Sequence, residues 1–121
     1  MRNSKSFRNN EPPVFTKMYE MTSWLFGRVE GFPRVFQRTL GERLLDNALR
    51  TLEALTAAQF RKDRLAPLSG CNERLDAMRV LLRLAVDSKC LSFRQYEHVT
   101  GMAQEVGRMV GGWIAHQKGK A

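Results

Sequence analysis

The chain has 121 residues, 43% hydrophobic and 26% charged, with 20 Lys and Arg against 12 Asp and Glu for a net charge of +8. That length suits one domain with one core, and the composition is globular. Arginines break each apolar run well short of the roughly 18 residues that span a bilayer, and no apolar stretch follows the polar, basic residues 1–10 as a secretory leader requires.

Residues 1–13 read as a disordered basic arm ending at Pro12 and Pro13. A first helix is predicted from Val14 to Val29, with Phe15, Met18, Thr22, Leu25 or Phe26, and Val29 on one face. Gly31-Phe32-Pro33 breaks it: the proline pushes Phe32 towards an extended conformation and suits the first position of the next helix. That second helix reads from Pro33 to about Phe60, with Leu45, Leu49, Leu52 and Leu55 and with Ala48 as its inward stripe. A polar loop is expected from Arg61 through Pro67 and Gly70, with either Ser69 or Asn72 capping the third helix. The third helix runs to about Lys89, with Leu75, Met78, Leu82 and Ala85 facing in and Leu81 and Leu84 widening the stripe. Ser92 and Gln95 form a capping box for the fourth, which continues to about Gln117 and leaves residues 118–121 as a basic tail.

No strand alternation is visible, so the predicted fold is all-α, an antiparallel up-down-up-down four-helix bundle over residues 14–117. The apolar faces are wider than one bundle needs, which points to a second surface between subunits. The fourth helix carries a further signal. Ala103, Gly107, Gly111 and Ala115 recur every four residues as one ridge with almost no side chain, flanked by Arg108 and Trp113. Four glycines in one helix cost roughly 2 to 4 kcal/mol relative to alanine, so close packing has to offset them, and a ridge spaced by four is what a neighbouring helix's groove receives.

The string from Glu105 to Ala115 (EVGRMVGGWIA), taken with Phe32-Pro33-Arg34, Leu40-Gly41 and the stretch Met78 to Ala85 (MRVLLRLA), resembles the accessory variability determinant proteins of diversity-generating retroelements. The resemblance covers about Val14 to Gln117 and extends to four-helix-bundle proteins encoded in ribosomal RNA intervening sequences. It implies a ring-like homopentamer, without enzymatic activity or cofactor, that binds the retroelement reverse transcriptase, RNA and cDNA and supports mutagenic copying. The alternative within the wider group is an oligomeric structural module with no reverse-transcriptase partner.

Five of the eight excess charges come from Arg2, Lys5, Arg8, Lys118 and Lys120, leaving +3 on residues 11–117. An anionic partner therefore requires segregated arginines, added subunits or the tails. Arg79 and Arg83 lie one turn apart on the third helix, as do Arg34 and Arg38 on the second, and Arg61, Lys62 and Arg64 form a loop cluster. Spacing alone reads Arg79 and Arg83 as a solvated face, with Asp76 in reach of Arg79 and Asp87 in reach of Arg83. The resemblance instead assigns Arg79 and Arg83 to nucleic acid or the reverse transcriptase, through paired guanidinium–phosphate hydrogen bonds, and Arg34, Arg38, Arg61, Lys62 and Arg64 are candidates beside them. Arg108 is left between that role and a helix or subunit contact.

Catalysis finds no support. His98 and His116 lie eighteen apart without a Glu-x-x-His motif, and no nucleophile, base and orienter set stands out. Cys71 and Cys90 lack the CxxC spacing of zinc or thioredoxin-like sites and read as reduced thiols of a cytoplasmic protein. Trp24 and Trp113 are able to stack bases but at helical spacing read as structural. The arm holds Phe7 as its one large apolar residue, so membrane insertion is not expected.

Overall fold

The computed structural model describes residues 11–120. Residues 1–10 of the expected arm lie outside the described residues, and its last three already belong to the fold: Thr16 Oγ1 donates to the Glu11 carboxylate at 3.3 Å, and Pro13 opens the first helix. Helix α1 is Pro13–Val29. Proline fits that first position because the N–H it lacks has no helical partner there, while the Pro12 carbonyl accepts from the Phe15 and Thr16 amides. Val14, Met18, Met21, Thr22, Leu25 and Val29 are its buried face, whereas Phe26 is exposed.

Helix α2 starts at Arg34–Phe36, passes through a π turn at Gln37–Gly41 and continues as Glu42–Phe60. Pro33 stands just before it, with its carbonyl accepting from the Phe36 and Gln37 amides, both at 2.9 Å. The π turn carries Gly41 into the contact with α1. A β-carbon at Gly41 would lie 2.6 Å from Val29 Cγ1, so only glycine lets the helices approach this closely. The Gln37 side chain secures the same junction by donating to the carbonyls of Val29 and Glu30 at 3.4 and 3.2 Å, which have no helical partner at the end of α1.

This junction sets the rotation of α2, and the inward row is Leu44, Ala48, Thr51, Leu55 and Ala58. Of the expected stripe, Ala48 and Leu55 are buried, but Leu45 and Leu52 are half-buried and Leu49 is 41% exposed. Apolar residues stand in two adjacent rows, and leucine content does not say which row turns inward. Thr51 belongs to the core because its hydroxyl donates to the Asn47 carbonyl at 2.8 Å and is thereby satisfied.

Helix α3 is Leu65–Asp87, which corrects the long loop expected through Gly70. Pro67 falls in the first turn, where a missing N–H costs nothing, and Ser69 and Asn72 sit inside the helix rather than capping it. Leu68, Cys71, Leu75, Met78, Leu82 and Ala85 are buried, Leu81 is half-buried and Leu84 is exposed. The helix closes on a Schellman motif: Cys90 N–H donates to Ala85 at 2.8 Å and Lys89 N–H to Val86 at 3.1 Å, with Lys89 left-handed at φ 64°.

Helix α4 is Phe93–Lys120. Its capping box is formed, with Gln95 N–H donating to Ser92 Oγ at 3.0 Å and Ser92 N–H to Gln95 Oε1 at 2.9 Å. The helix runs three residues past Gln117, placing Lys118 and Lys120 at the negative end of its dipole. Each helix packs on the next and α4 closes on α1, giving four helices around one core and no strand among the described residues. Among those residues no helix is long and apolar enough to cross a membrane.

Candidate nucleic-acid and partner surfaces

Arg79 and Arg83 sit on the edge of α3 that borders α4, and their surroundings differ. Arg79 Nη1 pairs with Asp76 Oδ1 at 2.7 Å, and its Nη2 lies 3.2 Å from where a β-carbon of Gly107 would stand. Its guanidinium is therefore laid across α4 at the point where α4 has no side chain. Arg83 is exposed and has no carboxylate within 4 Å among the described residues, so the expected pair with Asp87 does not form. Chain polarity favours the first pair over the second. An acid placed before its base along a helix pairs better than the reverse, and Asp76 precedes Arg79 while Asp87 follows Arg83.

Arg34 and Arg38 are exposed at the start of α2, on the other side of α3. Arg38 lines a cleft of about 720 Å³ between α2 and α3, with Phe36, Leu40, Leu81 and Leu84 as its apolar wall and Glu42, Arg43 and Asp46 on its rim. Arg43 is a cation that sequence spacing misses. Five residues from Arg38 is off-register for an α-helix, but the intervening π turn brings the two towards one face. Arg61 and Lys62 are exposed in the α2–α3 loop, where Arg64 Nε donates to the Arg61 carbonyl at 3.2 Å. That loop lies at the far end of α2 from Arg34, so the seven cations form separate groups rather than one patch.

The small-residue ridge of α4 divides as well. Ala103 is buried in the core and Gly107 lies under Arg79, whereas at Gly111 no atom beyond the adjoining turns of α4 stands within 4 Å of where a side chain would begin, as is also true off the ridge at Gly101 and Gly112. Ala115 and Arg108 are exposed. Within one subunit the ridge fills no neighbour's groove beyond Gly107.

The opposite edge of α4 meets α1. Lys17 pairs with Glu105 at 3.7 Å, and Trp24 lies between His98, 5.5 Å away between ring centroids, and Arg28, 5.9 Å from its ring. Trp24 and Trp113 are both half-buried against the core, as expected of structural aromatics. Cys71 is buried, and desolvation pushes its thiol up to about 11 despite the nearby Arg74. Burial also raises the Cys90 thiol. Among the described residues no three His, Cys, Asp or Glu side chains are grouped to hold a metal ion.

The model of the bAvd-like family matches residues 14–117, which is the whole bundle apart from the first residue of α1 and the last turn of α4. The chain belongs to the bAvd-like family. This is the accessory variability determinant family, and the resemblance carried by the α3 and α4 motifs is thereby established. Neither the curated proteins nor the solved structures include a match. The bAvd-like region takes in every candidate cation named above and the full small-residue ridge.

Proposed function

We propose that this protein is a non-enzymatic accessory factor of a diversity-generating retroelement. In this reading it is a ring-like homo-oligomer, a pentamer, that holds the reverse transcriptase and its RNA template or cDNA during mutagenic copying. Family membership over residues 14–117 carries the proposal. The guanidinium of Arg83 supports it, since an arginine with no carboxylate within 4 Å among the described residues is available for bidentate phosphate contact. Arg79 contributes as a positioned, half-neutralised neighbour. Arg34, Arg38, Arg61, Lys62 and Arg64 add further cationic groups, and repetition around a ring multiplies the modest charge of each subunit.

The test is co-expression with the retroelement reverse transcriptase. A stable complex is expected, with cDNA synthesis from the retroelement RNA depending on this protein. Replacing Arg79 and Arg83 together by glutamate is expected to abolish binding while helix content and oligomeric mass persist. Because Arg79 is partly spent on Asp76, Arg83→Glu alone should weaken binding more than Arg79→Glu alone. A folded, oligomeric double variant with native affinity would remove these two residues from the site.

A further inference from the structure

The cleft between α2 and α3 joins an apolar wall to charge that nothing in the subunit neutralises. Phe36, Leu40, Leu81 and Leu84 form the wall, and Leu84 is 51% exposed although it stands among apolar neighbours. An apolar body laid on this concave wall would release the water that covers it, with a gain proportional to the area covered. The volume of about 720 Å³ is that of a small-molecule site rather than of a surface dimple.

Charge on the rim narrows the class of ligand. Arg38 and Arg43 are both exposed, and neither has a carboxylate within 4 Å among the described residues. Of the two acids at the cleft, Asp46 is engaged at 2.9 Å by Arg50, which does not line it. Glu42 has no basic partner within 4 Å among the described residues. The cleft therefore holds one positive charge in excess. The π turn at Gln37–Gly41 is what turns Arg38 and Arg43 towards one face, and a π turn set inside an α-helix is a frequent device of functional sites. Two unengaged guanidinium forks beside an apolar wall suit a ligand with one anionic group and an apolar body. A cation would meet two arginines, and a second negative charge on the ligand would be opposed by Glu42.

We propose that the α2–α3 cleft binds a small amphiphilic carboxylate, with its apolar body against Phe36, Leu81 and Leu84 and its carboxylate between Arg38 and Arg43. This site goes beyond the accessory role and does not rest on it. Arg38 is common to both readings, but the experiment contains neither RNA nor polymerase, so either reading can fail alone.

The test is equilibrium dialysis of the full chain against octanoate and, separately, 1-octanol, an uncharged ligand of the same chain length, at about pH 7 where the carboxylate is ionised. Octanoate is expected to saturate at one per subunit and to bind about tenfold or more tighter than octanol, as charge-assisted hydrogen bonds require. Arg38→Gln and Arg43→Gln should each weaken octanoate about tenfold and leave octanol unchanged. Glu42→Gln removes the opposing charge and should tighten octanoate alone. Leu84→Ser opens the wall and should weaken both ligands. All four side chains are exposed, so circular dichroism should show native helix content. Equal affinity for the two ligands, or octanoate binding that survives Arg38→Gln and Arg43→Gln together, would overturn the site as mere partition onto apolar surface. Native affinity in Leu84→Ser would overturn it by removing the wall. A native chain that takes up no octanoate would overturn it too, whatever covers the cleft.

Discussion

Glycine serves opposite ends at the α1–α2 junction and on α4. At the junction Gly41 is buried, and a single added carbon would strike Val29 Cγ1 at 2.6 Å. On α4, Gly101, Gly111 and Gly112 have empty space where a side chain would begin. The first position is closed by contacts inside the subunit. The second group costs helix stability and meets no side chain of another helix within the subunit. A third position completes the comparison: Lys89 holds the left-handed conformation at the end of α3 that glycine adopts without strain.

The largest effect is expected at the closed position. Gly41→Ala should cost about 1–3 kcal/mol of folding stability, because Val29 is a stiff, buried neighbour and the α1–α2 spacing has to widen. A urea midpoint equal to that of the native chain would break the contrast. At the third position the sign reverses. Lys89→Gly removes a left-handed side-chain penalty and should raise stability by about 1 kcal/mol, read as a higher melting temperature with an unchanged spectrum. Gly111→Ala should gain up to about 1 kcal/mol, read as a higher urea midpoint, as expected for an open mid-helix glycine.

The smallest effect contrasts two thiols in the same terms. Cys90 is half-buried and should react with an alkylating reagent in the native protein, whereas Cys71 should react only on unfolding. The Cys71 thiol is raised from an ordinary 9.0 to about 11 in the folded state, so its contribution to stability is fully present below pH 9. That contribution declines as pH rises towards about 11, because the unfolded thiol ionises first. Cys71→Ser should flatten the fall in urea midpoint between pH 9 and pH 11.

Local chemistry made much of this fold legible. The Gly31-Phe32-Pro33 break and the Ser92–Gln95 box are short-range devices, and both act in the structure as their residues dictate. The inner face of α3 was readable because Leu75, Met78, Leu82 and Ala85 stand in one row. Helix α2 was not, since its leucines occupy neighbouring rows and the choice between them is made by the approach of Gly41 to Val29, residues on different helices. Pro67 and Gly70 read as loop signals because each disfavours helix in general, yet proline is harmless in a first turn. Among the candidate cations, the Asp76–Arg79 pair follows from spacing along one helix. That Arg79 reaches across to Gly107, or that Arg43 joins Arg38, depends on inter-helix distance and on the π turn, which no periodicity announces.

The cyclic order of the helices has a kinetic consequence. Three of the four helix interfaces join neighbours along the chain through links of four or five residues, 30–33, 61–64 and 88–92. Such local topology folds on the order of microseconds to milliseconds, because little loop entropy is given up before the helices meet. The α1–α4 seam is different: its Lys17–Glu105 pair spans most of the chain. Docking of α1 onto α4 therefore carries the largest loop-closure cost of the four contacts, and this seam is expected to part first when the bundle opens. Amide exchange should show α1 released from the bundle while the α2–α3 hairpin remains protected.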